Sequence, residues 1–326
     1  MHPYLKRFIA PVFAAAMLAE TPCAIAQNFP DKPIRLVVPW APGGTGDLLA
    51  RALVEGLAPV FKPPVIVDNR PGAGGTIGAA SVARAPGDGY TLLIGDIGPM
   101  AIAPSAYKTL PYDPLRDFAP VTIGTLNSLS LAVHPSLPVN SVREFIALAR
   151  SRPGEISYGS SGVGGVLHVA GELFKTMAGV DLLHVPYKGG SAAIAALVAG
   201  EVAVSFSALP TTMPFAQGNR VKILAITMDK RAQLAPALPT INEAGVRGYS
   251  VTVWQGVLAP ATTPREIVMK LNAAMTEALK KPEISNRLRT QGFEVVTGTP
   301  EDFAKYIRDE VGKWEKVVRG AHIVLD

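Results

Sequence analysis

Three glycine-rich turns carry the clearest chemical capacity in this chain. Residues 41–47, 71–75 and 160–165 each precede a predicted helix. The first amides of a helix have no intrahelical acceptor, and together with the helix dipole they attract anions. Glycine lets the backbone approach a carboxylate or phosphate closely. Any one of these turns could be an ordinary tight turn, but three at equivalent places predict an anion-binding site.

Three side chains near these turns leave alternatives open. Asp47 could cap the helix that we predict from Leu48, or it could contact a ligand. Trp40 flanks a predicted cleft segment and could line a ligand or belong to the core. Asp96 follows the third predicted strand between two glycines. Its carboxylate could face a ligand and favour an amino, hydroxyl or pyridine-type group on it, or could turn away and accept a local N–H.

Motifs for catalysis and nucleotide binding are absent from the sequence. No Gly-Lys-Ser/Thr ends a glycine-rich turn, no Gly-x-Gly-x-x-Gly occurs, and residues 159–163 lack the last glycine of a nucleophile elbow. His168 and His184 are expected to be structural. We predict no catalytic residue, no cofactor and no metal. The alternative is a cleft enzyme of the same shape, a hydrolase using a cleft aspartate.

Composition and charge exclude several classes of protein. The 326 residues are 48% hydrophobic and 17% charged, which suits a folded chain of about two domains. The net charge is +5, but the basic residues are dispersed. Nucleic-acid binding needs a clustered basic surface, so we predict no nucleic-acid partner.

The first 26 residues are predicted to be a secretory signal peptide. Lys6 and Arg7 precede a short apolar stretch, and the small residues Ala24 and Ala26 indicate cleavage before Gln27. An N-terminal anchor helix is the alternative. The single cysteine, Cys23, precedes the cut in a context that does not suit lipidation. We therefore expect an exported, periplasmic protein without disulfides.

Short β-rich runs alternate with helical patterns along the mature chain. This alternation predicts α/β layers with mostly parallel sheets. In such sheets ligands bind beyond the carboxyl ends of the strands, where the glycine-rich turns lie. Two α/β lobes would bring the turns face to face across a cleft. Near the carboxyl end of the chain, apolar residues recur every three or four positions between Phe303 and Val318, which predicts a helix packed on the core.

With these turns identified, the chain resembles the Bug-type receptors, the extracytoplasmic solute-binding proteins of tripartite tricarboxylate transporters. The resemblance covers nearly all of the mature chain. The segments that carry it are FPDKPI at 29–34, APGG at 41–44 with Asp47 and Arg51, NRPGAGG at 69–75, LPYDP at 110–114, DFAPV at 117–121, YGSSG at 158–162 with His168, GELF at 171–174, HVPYKG at 184–189, and Pro239, Thr240 and EAG at 243–245.

The resemblance implies a two-lobed, type II-like Venus flytrap fold with a mixed, mostly parallel sheet in each lobe. We expect residues 27–124 and 254–326 in lobe 1 and residues 125–253 in lobe 2. It also implies a receptor without enzymatic activity that holds a small organic acid between the lobes and delivers it to membrane transporter subunits. We expect a monomer.

Candidate ligand-binding residues combine the turns with the resemblance. Family members often have Ser or Thr where this chain has Asp96, and Asp where it has Ser207. The full set is Trp40, Gly43, Gly44, Asp47, Ala73, Gly74, Asp96, Gly98, Ser160, Ser161, Gly164, Tyr187 and Ser207.

Overall fold

The computed structural model describes residues 29–325, so the predicted signal peptide lies outside the described residues. The strands are β1 Ile34–Val38, β2 Val65–Asn69, β3 Thr91–Asp96, β4 Phe118–Val133, β5 Ser157–Ser160, β6 Leu183–Pro186, β7 Val204–Ala208, β8 Lys222–Ile226, β9 Thr252–Pro260 and β10 Glu294–Val295. The helices are α1 Thr45–Leu57, α2 Thr76–Ala83, α3 Ala103–Ala106, α4 Val142–Ser151, α5 Val166–Ala178, α6 Gly190–Ala199, α7 Leu209–Gln217, α8 Arg265–Lys280, α9 Pro282–Thr290 and α10 Pro300–Gly320.

The strands form two lobes that share β4 and β9. The order along the sheet is β2-β1-β3-β9-β4-β7-β5-β6, with β10 and β8 pairing with β4 beside this path. Parallel pairs join β2, β1 and β3 in the first lobe and β6, β5 and β7 in the second. Antiparallel pairs surround β4 and β9. The predicted two-lobed α/β fold with mixed sheets is confirmed.

The connection between the lobes runs through β4. Residues of β4 up to Ser128 pair with β9, and Leu129 to Val133 pair with β7 and β8. The change of partner therefore falls a few residues beyond the predicted lobe boundary between residues 124 and 125. The residue limits of the two lobes stay a prediction.

The core explains why the last helix docks where it does. Phe303, Ile307, Trp314 and Val318 of α10 are all buried in the largest apolar cluster, which confirms the predicted core stripe. The buried carboxylate of Glu310 accepts the indole N–H of Trp314 at 2.9 Å, and that of Trp254 in β9 at 3.2 Å. A capping box of Thr299 and Asp302 begins this helix.

Two predicted helix starts are wrong in detail. The residues Thr263-Pro264-Arg265-Glu266 predict a helix capped by Thr263, but Pro264 occupies the N-cap position, and the buried Oγ1 of Thr263 has no partner among residues 29–325. The first helix begins at Thr45, not at Leu48, so Asp47 lies inside its first turn. Among residues 29–325, no helix combines the length and apolar character needed to cross a bilayer.

Candidate functional site

Three loops of the first lobe meet around Trp40, at the carboxyl ends of β1 and β3. A Cβ added at Gly75 would lie 3.3 Å from the Trp40 ring, and one added at Gly98 would lie 3.4 Å from it. The hydroxyl of Tyr107 donates to the carbonyl of Ala73 at 2.9 Å. The indole of Trp40 is therefore half-buried and packs between the loops.

Two orientations are predicted for the carboxylate of Asp96, toward a ligand or toward a local N–H. It faces inward and takes the second. It accepts the indole N–H of Trp40 and, at 2.8 Å, the backbone N–H of Gly98. The residue is 6% exposed. Burial raises the pKa of Asp96 to about 6, against the opposing effect of these two hydrogen bonds. Asp96 thus holds the 96–98 loop onto Trp40.

Asp47 ties the first turn together. Its Oδ2 accepts the N–H of Gly43 at 2.9 Å and Nε of Arg51 at 2.8 Å, and its Oδ1 accepts Nδ2 of Asn69 at 3.1 Å. Burial opposes its ionisation, but the hydrogen bonds from Arg51, Gly43 and Asn69 keep the pKa of Asp47 below its ordinary value. Asp47 therefore does not provide the predicted cap of a helix that starts at Leu48.

The corresponding loop of the second lobe, residues 160–165, is bound to two histidines. The N–H of Gly164 donates to Nδ1 of His168 at 3.1 Å. The hydroxyl of Ser160 lies 2.6 Å from Nε2 of His184 and accepts the N–H of Gly162 at 3.2 Å. Ser160 is fully buried. Its side chain therefore shapes the loop from inside.

Two further candidates lie away from the loop edge. The ring of Tyr187 runs back along β5, where it would be 3.4 Å from a Cβ at Gly159, and its hydroxyl donates to Glu201. Only its backbone N–H joins the loop, at 3.0 Å from the carbonyl of Ser160. The hydroxyl of Ser207 is buried, 2.6 Å from that of Ser205.

The backbone amides of the loops divide into two groups. Those of Gly43, Gly98 and Gly164 are already paired with Asp47, Asp96 and His168. A second group lies on exposed or half-exposed backbone and has no acceptor among residues 29–325. Its members are the amides of Gly44, Ala73, Gly74 and Ser161.

Three amides of the second group lie just before helices. Gly44 immediately precedes α1 at its N-cap, and Ala73 and Gly74 precede α2 with φ of 44° and 63°. Such left-handed turns aim successive amides into a common concavity. Arg51, the cation beside the first turn, is engaged by Asp47. An anion here would therefore be held by amides and helix dipoles.

Some buried polar residues near the start of α1 were not foreseen from the sequence. Nε2 of Gln255 in β9 donates to Oγ1 of Thr45 at 3.1 Å and to Oδ1 of Asn127 at 3.3 Å. Nδ2 of buried Asn127 has no partner within the described part of the chain. These residues link the shared strands to the start of α1. The only signal in the sequence is polar residues in otherwise apolar strands. Residues 29–325 contain no cluster of metal-ligating side chains.

The two lobes also touch at two places. The side chain of Leu325 fills the space where a Cβ of Gly164 would be, and Pro210 does the same at Gly292. The backbone N–H of Leu325 donates to the carbonyl of Ala106 in the first lobe at 2.7 Å. Loops from both lobes are therefore in direct contact through the last residues of the chain.

Comparisons with known proteins agree with this architecture. The model of the tripartite tricarboxylate transporter family receptor matches residues 49–323. Protein BugT of Bordetella pertussis is 34% identical over 295 residues, which cover 90% of each chain. An R. palustris protein solved with adipate is 40% identical, with a TM-score of 0.84, over 91% of this chain and 99% of that one.

A second solved structure, MatC from Rhodopseudomonas palustris with bound malate, is similar at 33% identity. Its TM-score is 0.80, over 89% of this chain and 100% of that one. The family match spans most of the described chain, both lobes included. From its sequence and its fold, the chain belongs to the tripartite tricarboxylate transporter receptor family, the family of the Bug proteins.

Proposed function

We propose that this protein is a periplasmic receptor that binds a small organic acid between its lobes and delivers it to the membrane subunits of a tripartite transporter. The unpaired amides of Gly44, Ala73, Gly74 and Ser161 carry the proposal, because they come from both lobes and lie where ligands bind in α/β sheets. Related proteins solved with adipate and with malate support an organic acid as the ligand.

The chemistry favours a carboxylate. Each hydrogen bond from an amide to a charged acceptor contributes about 1.5–3 kcal/mol, so a few such bonds suffice for tight binding. The helices α1 and α5, each 13 residues long, add the positive ends of their dipoles. A site built from amides also leaves the rest of the ligand free to vary.

We propose that binding is not followed by catalysis. Within the candidate site, the nearest approach to a catalytic pair is Ser160 with His184, 2.6 Å apart. Ser160 is fully buried, and its hydroxyl oxygen accepts the N–H of Gly162, so a bound substrate has no access to it. The cleft aspartate of the alternative hypothesis, Asp96, is likewise enclosed by Trp40 and Gly98.

Titration calorimetry on the mature protein tests the proposal. A panel of small carboxylic acids should include adipate and malate, with dimethyl adipate as a probe of the same chain length that carries no charge. We expect saturable binding of one or more acids, one per protein, and no binding of the diester. Binding of no acid in the panel, or equal binding of adipate and its diester, would contradict the proposal.

A further inference from the structure

The loop at residues 160–165 takes a backbone conformation that its glycines allow, and hydrogen bonds hold it there. Gly162 and Gly164 have φ of 126° and 74°, in the region that favours glycine. Three acceptors fix the amides of this turn: the carbonyl of Gly162 accepts the N–H of Gly165, the hydroxyl of Ser160 accepts that of Gly162, and His168 accepts that of Gly164. The amide of Ser161, next to these anchors, has no acceptor among residues 29–325.

The imidazole of His168 must be neutral to make its contact. Because the Gly164 nitrogen is a donor, Nδ1 of His168 is the acceptor and the ring proton is on Nε2. Burial, followed by the nearby ring of His184, lowers the pKa of His168 to about 4. The ring is therefore neutral at pH 7, with its acceptor nitrogen available.

Other groups around His168 fix its position. The ring of His184 stacks on it with centroids 3.9 Å apart. Oε1 of Glu172 lies 3.9 Å from Nε2 of His168, and it accepts the hydroxyl of Tyr158 at 2.7 Å and Nζ of Lys175 at 3.1 Å. These partners come from α5, β5 and β6, so the two imidazoles are set by the lobe as a whole.

We infer that His168 and His184 are positioning residues for ligand binding. They occupy the N–H of Gly164 and the hydroxyl of Ser160, so that the loop presents the amide of Ser161 to the ligand carboxylate. They act through the loop and not by contact with the ligand. This role presupposes the proposed receptor function, which the test below separates from it.

Three variants test the role of His168. In His168→Asn, the side-chain oxygen takes nearly the place of Nδ1 and still accepts the N–H of Gly164. In His168→Leu, the volume is kept but the acceptor is lost. His134→Leu removes a histidine of the same lobe that is bonded to Ser136 and lies outside the loop. It is the matched control.

The first measurement is calorimetry at pH 7.5 with whichever of adipate and malate binds the wild type. Loss of one buried hydrogen bond corresponds to about a fivefold or larger loss of affinity. We expect that loss for His168→Leu, affinity within about twofold for His168→Asn, and no change for His134→Leu. Wild-type affinity in a folded Leu variant, or an equal loss in the Asn and Leu variants, would overturn the inference.

The second measurement needs no ligand. Amide hydrogen exchange followed by NMR should show the Gly164 N–H protected in the wild type and in His168→Asn, and exchanging at least about tenfold faster in His168→Leu. An unprotected Gly164 amide in the wild type would overturn the inference even if the Leu variant fails to fold. Binding of no acid in the panel, with Gly164 protected as expected, would count against the proposed function and not against the bracing of the loop.

Discussion

At the residue scale, the site is determined by which amides are already paired. Glycine-rich turns expose many N–H groups, and this chain pairs several of them with its own side chains, Asp47, Asp96, Ser160 and His168. Each acceptor is buried and reaches back to the turn from its own lobe. The remaining amides are thereby held in fixed directions. A preorganised set of donors loses less conformational freedom on binding than mobile loops would.

The buried carboxylate of Asp96 predicts a pH dependence of stability. Its pKa in the fold, about 6, is above the ordinary 3.8, so the folded state binds the proton more tightly than the unfolded state. Its contribution to stability is therefore largest below pH 4 and falls by about 3 kcal/mol as pH rises through 6. Urea unfolding of the wild type and Asp96→Asn at several pH values measures it.

The difference in unfolding free energy, wild type minus variant, should decrease by most of that amount between pH 4 and pH 7. Other titrating groups affect both proteins alike and cancel in the difference. A difference that stays constant across this range would show that Asp96 is ionised as easily in the fold as in the unfolded chain.

The sequence indicates where the loops lie but not where their side chains point. Asp96 turns to Trp40, 56 positions away, and Tyr187 turns to Glu201. Each orientation depends on a partner that local spacing does not reveal. The pairing of His168 with His184 likewise depends on tertiary packing, because it brings a side chain of α5 onto one of β6.

At the scale of elements, strand, turn and helix patterns predict most of the lobe architecture, while element boundaries depend on tertiary contacts. The 16-residue strand β4 contains Pro120 and Gly124, and only its last part reads as a strand in the sequence. Register shifts between Pro120 and Thr122 and between Ile123 and Thr125 accommodate these residues against β9. Pairing with β9, which is distant in sequence, thus keeps β4 continuous where the strand propensity of its own residues is low.

The attachment of α10 gives a prediction for this scale. Glu310 is the acceptor for the indoles of both Trp254 and Trp314, so Glu310→Leu leaves two buried donors unpaired. We expect a loss of about 2–4 kcal/mol in the free energy of unfolding, measured with urea. Glu310→Gln keeps one acceptor oxygen and should lose clearly less. Equal losses in the two variants would mean that packing volume, not hydrogen bonding, holds this helix.

At the scale of the whole molecule, the two lobes are connected by the shared strands β4 and β9. Few backbone torsions need to change there for the lobes to move as rigid bodies. We predict that a bound acid closes the lobes and reduces the radius of gyration in small-angle scattering. The same preparation without ligand is the reference, and an unchanged profile at saturation would contradict closure.

The exported form makes a separate prediction. Residues 24–26 and the context of Cys23 indicate cleavage before Gln27 without lipidation. Intact-mass analysis of exported protein should therefore give a chain of residues 27–326. A lipid-modified chain beginning at Cys23, or an uncleaved leader, would contradict this prediction.

The central claim is that backbone amides hold the carboxylate, and Gly44 allows it to be tested with a matched pair of variants. Its φ of −77° suits proline and alanine alike. Gly44→Ala keeps the N–H, and Gly44→Pro removes it at nearly the same φ. In calorimetry with the acid that binds the wild type, affinity should stay within about threefold for Ala and fall at least about tenfold for Pro. Equal affinities in two folded variants would show that this amide does not hold the ligand.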